Sequence, residues 1–417
     1  MLEPLQDADD PGEELQDADD PGEELHNLHN PLDPGHEYHK ERRRRMRLLK
    51  LRRRSLRDMA DPFNVTTEAF IRSYRLTQDL VFSLIDLIRP FIRQTTSPLA
   101  VPLERKVLAV LSFYATGSYQ TPTGQRFDCP IAQPTLCAFI EEVSNAIYED
   151  EVLYRLIKFP SNVREAELCI DRNRRLGGKI DGTVGYTDGS LFKVKKPSLE
   201  DNIQAFIGRK NYCCINAQIT CDRRLYIMNV LASYPGSTTD SFIFEDCELR
   251  RRMAGLNERR PCHLLGDSGY VIEPWMIIPF RQPEEDTPEF RFNQAHCSDR
   301  NAVERCIGVL KERFRFLNDG RVPLYEYTKV SKFVYVGVVL HNLCVLADVP
   351  LPLDLNNINL ANNEFNEAGP EEFEEDDIEN PEVPIGGRNA RDLILRGHAV
   401  RQEIMNELEH RHQQQHR

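Results

Sequence analysis

The chain has 417 residues, 11 of them cysteine, and a formal charge of −13; that length supports two domains and a large buried core, so no disulfide-stapled scaffold is needed. The cysteines are irregularly spaced, without a CxxC pair or a following His pair, which argues against structural zinc and for a reducing compartment. The acidic amino terminus speaks against an ordinary secretory signal, and the best membrane candidate, Phe333 to Leu351, is interrupted by His341, Asn342 and Asp348, so it reads as a core helix.

Residues 1–39 carry 13 acids and no Lys or Arg, and Gln6 to Leu15 recurs unchanged at Gln16 to Leu25. So polar a segment buries too little apolar surface to fold and is expected to be a disordered acidic tail. Residues 351–385 carry another 11 acids without a base. Setting those 24 charges aside reverses the sign of the remainder to about +11, most of it in residues 40–57. There 11 Lys or Arg face one acid, Glu41. The arm, with Arg42, Arg43, Arg44, Arg45, Arg52, Arg53 and Arg54, reads both as a nuclear-import signal and as a phosphate-gripping DNA contact. The middle of the chain is nearly neutral, so the arm alone carries the case for nucleic acid.

Residues 58–150 read as a helical domain, with apolar residues at helical spacing in Phe70 to Ile92, Val107 to Phe113 and Leu136 to Ile147. Gln133-Pro134-Thr135 opens its third helix. A short helix, a turn and this helix are compatible with a helix-turn-helix reader; the outward Glu141, Glu142 and Asn145 fit a plain structural helix as well.

From about residue 165 to 350 the periodicity turns to strands. Cys213 to Cys221 alternates apolar with polar residues, predicting a strand with one wet face. Asp222-Arg223-Arg224 turns the chain into Leu225 to Ala232 as a hairpin. With helices at Thr239 to Met253 and Ala295 to Leu317, the expected architecture is α/β, a mixed sheet flanked by helices. The acidic linker 351–385 follows, and then a closing helix in 386–417, where Leu393, Ile394, Val400, Ile404 and Leu408 suit docking on the core or on another subunit.

Four carboxylates stand where local structure does not require them. Asp188 shares the even-numbered face of Val184, Tyr186, Phe192 and Val194, where a charge is costly unless a cation or donors meet it; Asp188-Gly189 is equally a turn dipeptide. Asp267 ends an apolar run between Gly266 and Gly269, the kind of strand end where ligands approach backbone closely, or a surface turn. Glu304 lies on a helix face with Arg300, Lys311 and Arg315, where an ion pair is the plain alternative. Asp240 follows Pro235-Gly236-Ser237 and also fits a helix cap. Taken together, several carboxylates suit hard cations roughly 3.5 to 4 Å apart in a two-metal phosphodiesterase.

The ordered motifs DPF (Asp61 to Phe63), FYATGSYQ (Phe113 to Gln120), TDGSLFKVKKPS (Thr187 to Ser198), GRKNYCCINAQITCD (Gly208 to Asp222), YPGSTTDSFIF (Tyr234 to Phe244), LLGDSGY (Leu264 to Tyr270), AHCSDRNAVERCIGVLKERFRFL (Ala295 to Leu317) and LHNLC (Leu340 to Cys344) resemble the Harbinger (PIF) transposase-derived nucleases of the DDE superfamily. The resemblance spans about Asp61 to Val345. It implies an RNase H-like core in which Asp188, Asp267 and Glu304 are catalytic and Asp240 is a further metal contact. Ile180-Asp181-Gly182-Thr183 mimics the family's first-acid motif, but the KxP spacing fits Asp188 and Pro197 rather than Asp181 and Ser190. Ser190-Leu191 stands where the family commonly has Thr-His, and Pro134 and Cys137 replace more usual polar residues in the third helix.

The implied function is a nuclear endonuclease that hydrolyses DNA by a two-metal mechanism on Mg²⁺ or Mn²⁺. The alternative is a domesticated, non-catalytic DNA- or chromatin-binding factor. Expected partners are DNA and a separate DNA-binding protein, with no membrane and with monomer and oligomer both open.

Overall fold

The structure, a computed structural model, describes residues 34–94, 100–124, 130–198, 202–318, 325–351 and 388–415. The acidic tail up to residue 33, nearly all of the acidic linker and Cys129 lie outside the described residues.

In chain order the helices α1 (Pro34–Met59), α2 (Thr67–Tyr74), α3 (Gln78–Ile88), α4 (Leu103–Thr116), α5 (Gln120–Gly124), α6 (Gln133–Tyr148), α7 (Asp150–Leu156) and α8 (Val163–Arg175) precede strand β1 (Thr183–Lys193). Then come α9 (Ile203–Phe206), β2 (Cys214–Cys221), β3 (Ile227–Pro235), α10 (Asp240–Asp246), α11 (Glu248–Arg259), β4 (His263–Leu265) and β5 (Met276–Ile277). Helices α12 (Pro288–Arg313), α13 (Tyr327–Leu346) and α14 (Arg388–Gln415) complete the order. Among the described residues the strands form one five-stranded sheet, β3-β2-β1-β4-β5, antiparallel from β3 to β1 and parallel from β1 to β5. The expected mixed sheet flanked by helices is what the chain forms.

Asp188-Gly189 ends no hairpin. Both residues lie in mid-β1, opposite Ile219 and Gln218 of β2. The apolar even face also divides: Tyr186, Phe192 and Val194 join the main core, whereas Val184 packs with Tyr226, Met228 and Trp275 in a second cluster.

The wet face expected of β2 is absent, because every residue of β2 is buried. Helices α12 and α13 pack on β2, and α10 also lies against it. Two of the polar positions donate inside the protein: Asn216 Nδ2 to Thr238 O at 3.0 Å, and Thr220 Oγ1 to Thr187 Oγ1 at 3.0 Å. Alternation records which residues share a face, not whether that face meets water.

Two helices also differ in extent. The helix expected over Thr239 to Met253 breaks at Cys247, whose backbone is extended, into α10 and α11. The helix expected from Ala295 starts seven residues earlier, at Pro288, where Thr287 Oγ1 accepts from Phe290 N. It ends at Arg313, and Arg315–Leu317 is a 3₁₀ turn.

The helical segment shares one core with the sheet: Phe113, Tyr114 and Phe316 pack against Phe333 of α13. The polar side of α6 is bridged to its neighbours, Glu141 to Lys329 and Lys332 and Glu142 to Lys106 at 2.9 Å. Those contacts fit the structural-helix reading of α6. Helix α13 is long and apolar enough to cross a bilayer, yet His341 and Asn342 on it are fully buried. Asn342 stitches it to β3, accepting from Ile227 N at 2.9 Å and donating to Ile227 O at 2.8 Å.

Helix α14 covers the β5 side of the sheet. Ile404 and Met405 are buried, Arg401 stacks 3.8 Å from the Phe280 ring centroid, and Gly397 lies so close to Glu273 that an added Cβ would come within 2.9 Å of its backbone. The closing helix therefore docks on its own core.

Candidate metal centre

Three carboxylates from three separate elements converge. One oxygen from each of Asp188, Asp240 and Asp267 lies within 4.8 Å of the others, and all three residues are half-buried. Asp188 is carried by β1, the central strand. Asp240 is the first residue of α10, placed by the turn after β3. Asp267 follows β4, which pairs in parallel with β1. The fold thus brings residues up to 79 positions apart in sequence together where β4 ends beside the middle of β1.

Each aspartate is oriented by a hydrogen bond. Gly189 N donates to Asp188 Oδ1 and Gly269 N to Asp267 Oδ1, both at 2.9 Å. Asn216 Nδ2 on β2 donates to Asp240 Oδ1 at 2.7 Å. Gly189 leaves the space that Asp240 occupies: a Cβ there would fall 2.1 Å from Asp240 Oδ1.

Glu304 does not join the cluster. Arg300, one turn earlier on α12, stands between: its Nη1 donates to Asp188 Oδ2 at 2.9 Å and its Nη2 pairs with Glu304. Two turns beyond Glu304, Lys311 Nζ donates to Leu191 O of β1 at 2.9 Å and lies 4.6 Å over the Phe192 ring. Helix α12 therefore runs its mixed charges along the strand that carries Asp188.

Burial pushes the Asp188 carboxyl up to about 6; the Arg300 guanidinium works against that shift, and the charges of Asp267 and Asp240 add to it. Asp240 is raised as well, chiefly by burial, with the Asn216 hydrogen bond opposing. Carboxylates that destabilise one another's charged forms while offering converging oxygens are the donor set a hard divalent cation takes. Asn216 Oδ1 is buried without a hydrogen-bond partner among the described residues. The residues present fit a divalent cation.

The structure thus brings Asp188, Asp240 and Asp267 together and holds Glu304 against Arg300. The seven arm arginines all lie on α1, where Arg42 to Arg45 and Arg52 are exposed and Arg53 and Arg54 half-buried. The look-alike Asp181 is away from the cluster, paired with Arg174 at 2.6 Å. Gly189 and Asn216 were not legible as site residues. Asn216 looked like one more polar residue of an alternating strand, and Gly189 like half of a turn. Arg300 was visible only as a basic neighbour of Glu304.

Residues 187–342 match the family model described as DDE superfamily endonuclease. The chain is 30% identical over 284 residues to the Bos taurus protein named "Putative nuclease HARBI1", spanning 67% of this chain and 78% of that one; the Homo sapiens protein of the same name gives the same figures. It is 24% identical over 301 residues to "Protein ALP1-like" of Arabidopsis thaliana, covering 67% of this chain and 70% of that one. No solved structure matches.

Proposed function

Because the chain belongs to the Harbinger transposase-derived family of the DDE superfamily, we propose that it is a metal-dependent endonuclease that hydrolyses DNA phosphodiester bonds. The observation that carries this reading is the convergence of Asp188, Asp240 and Asp267, from β1, α10 and the end of β4, within 4.8 Å. In the proposal these three hold the divalent cations, and Glu304, one helical turn from Arg300, completes the set as the last acid of the triad with Asp188 and Asp267. A bound pair of Mg²⁺ or Mn²⁺ ions supplies activation of the attacking water and charge stabilisation at the leaving oxygen.

The chain's own groups contribute positioning. Asn216 holds Asp240 at 2.7 Å, the backbone N–H groups of Gly189 and Gly269 fix one oxygen each on Asp188 and Asp267, and Arg300 holds the other oxygen of Asp188. Arg300 supplies the positive charge that keeps Asp188 ionised against its burial. The exposed arginines of α1 hold the DNA backbone, and the same basic run is the proposed nuclear-import signal. A separate DNA-binding protein supplies target recognition, since the polar side of α6 is spent on Lys106, Lys329 and Lys332.

One observation favours a second reading. Arg300 bridges Asp188 and Glu304, so the acids have a fixed cation and can persist as elements of a non-catalytic DNA-binding factor. The test that separates the two is Mn²⁺ titration by calorimetry together with nicking of supercoiled plasmid, for wild type and Asp267→Asn. Mn²⁺ uptake and nicking that both vanish in a folded Asp267→Asn protein support the nuclease. Nicking that survives the substitution removes it, and DNA binding without Mn²⁺ uptake supports the binding factor.

A further inference from the structure

Next to the acids stands a short basic hairpin that the nuclease reading leaves without a role. Residues 207–213 fold back on themselves: Ile207 bridges Cys213 in antiparallel fashion, Gly208 N donates to Tyr212 O at 3.1 Å, and Asn211 N donates to Gly208 O at 2.8 Å. Asn211 takes a left-handed backbone, φ 58, which asparagine tolerates better than most residues. The tip, Arg209, Lys210 and Asn211, is exposed.

The hairpin is pinned to the turn that delivers Asp240. An added Cβ on Gly208 would lie 2.5 Å from Cys214 Sγ and 3.3 Å from Gly236 O, and one on Gly236 would lie 2.3 Å from the same sulfur. Two backbone bonds close the joint, Gly236 N to Cys214 O at 2.8 Å and Ser237 N to Ala205 O at 3.0 Å. Arg209 makes no hydrogen bond or ion pair among the described residues. Beside the hairpin, Val194 N donates to Cys213 O at 3.0 Å, which aligns the basic end of β1 with it: Lys193 Nζ sits 4.7 Å over the Tyr212 ring, and Lys195 and Lys196 are exposed.

We propose that this hairpin is a DNA-backbone finger in which the Arg209 guanidinium, flanked by Lys195 and Lys196, grips a phosphate next to the one held at the acid cluster. The inference rests on the nuclease reading for the position of the scissile phosphate. An exposed guanidinium that makes no ion pair among the described residues, on a support pinned to the turn that delivers Asp240, suits bidentate hold of a phosphate. The opposite charge of the three aspartates repels the backbone, so a fixed cation beside them is what lets a phosphate approach. It also distinguishes the finger from the α1 arm, which raises affinity without setting where along the strand the acids act.

The test uses the full-length chain with the seven arm arginines changed to Gln, so that the arm does not mask one contact. A fluorescent mixed-sequence DNA duplex is titrated at several salt concentrations, with and without Arg209→Ala or Arg209→Lys, and Mn²⁺ binding is measured by calorimetry on each protein. The proposal expects Arg209→Ala to weaken DNA binding about tenfold at low salt and to reduce the salt slope by about one phosphate, Arg209→Lys to keep most of the slope, and Mn²⁺ binding to stay. Unchanged affinity and slope in Arg209→Ala overturn it, as does the absence of any DNA binding by the arm-substituted chain. Mn²⁺ binding lost together with DNA binding also overturns it, by making Arg209 a support for Asp240. If the unsubstituted chain never cuts DNA but the Arg209 effect is present, the nuclease reading falls and the phosphate contact stands.

Discussion

The Arg300 guanidinium donates to Asp188 Oδ2 across 2.9 Å, with both side chains less than a fifth exposed, and the same guanidinium reaches Glu304 one turn along α12. An internal cation thus stands against the acids. Removing one partner of such a buried pair costs about 3 kcal/mol, because the other charge is left uncompensated. Arg300→Ala is expected to lower stability by about that amount in EDTA, and to regain more from added Mn²⁺ than the wild type does, since a metal then supplies the missing charge. Thermal melts with and without Mn²⁺ check this; an equal Mn²⁺ gain in both proteins refutes it.

Gly189 has no side chain because Asp240 occupies that space: a Cβ would lie 2.1 Å from Asp240 Oδ1 and 2.5 Å from Cγ. Gly189→Ala is expected to push the Asp240 carboxylate out of the cluster, weakening Mn²⁺ uptake strongly at an overpacking cost of about 1–3 kcal/mol in stability. Calorimetry and urea unfolding on the same sample separate the two effects. Undiminished Mn²⁺ affinity in Gly189→Ala means that Asp240 is not a ligand.

The contrast between Gly189 and Asp267 explains what the sequence reveals about this site. Asp267 was legible because an acid between glycines at the end of an apolar run violates strand composition locally. Gly189 and Asn216 violate nothing locally; their roles depend on α10 arriving beside β1 and β2, a non-local pairing. The same limit hid the buried face of β2, since Asn216, Gln218 and Thr220 alternate like solvent-facing residues until α10, α12 and α13 cover them. The mixed architecture was readable, because hydrophobic period is a local property. So were the residues of the hairpin and the start of the third helix, where Pro134 falls in the first turn of α6.

His263 and His296 are both buried, and burial holds each down to about 4 from the ordinary 6.5, with His296 adding to the effect on His263. His296 Nε2 lies 3.2 Å from Ile277 O, which suits the neutral ring as donor. Between those two values the unfolded chain takes up protons that the folded one refuses, so the stability these histidines supply is full above 6.5 and is lost as pH falls toward 4. Asp188, raised to about 6, and Asp240, also raised, act with the opposite sign over the same window, while His398, lowered by burial, acts with the two histidines. The urea midpoint in EDTA is expected to fall from pH 7 to pH 4.5, and His296→Gln to flatten the fall. A midpoint that rises on acidification contradicts the assignment.

Asp181 and Asp299 reverse the importance that their surroundings in the sequence suggest. Asp181 sits in the motif that mimics a first catalytic acid, but its side chain is 43% exposed and pairs with Arg174. A surface pair of that kind contributes roughly 0–1 kcal/mol. Asp299, an unremarked neighbour of Arg300, is fully buried. It accepts from Lys179 N at 3.0 and 2.9 Å, from Ile180 N at 2.9 Å and from Arg223 Nη1 at 2.9 Å, tying the loop before β1 and the turn after β2 to α12. Asp299→Ala leaves the half-buried Arg223 guanidinium and two N–H groups without this acceptor, a loss of about 3 kcal/mol. Asp181→Asn is therefore expected to leave both Mn²⁺ uptake and stability near wild type, while Asp299→Ala unfolds at much lower urea. If Asp181→Asn instead abolishes Mn²⁺ binding while Asp188→Asn does not, Asp181 is the first acid of the site and the cluster on β1 is structural.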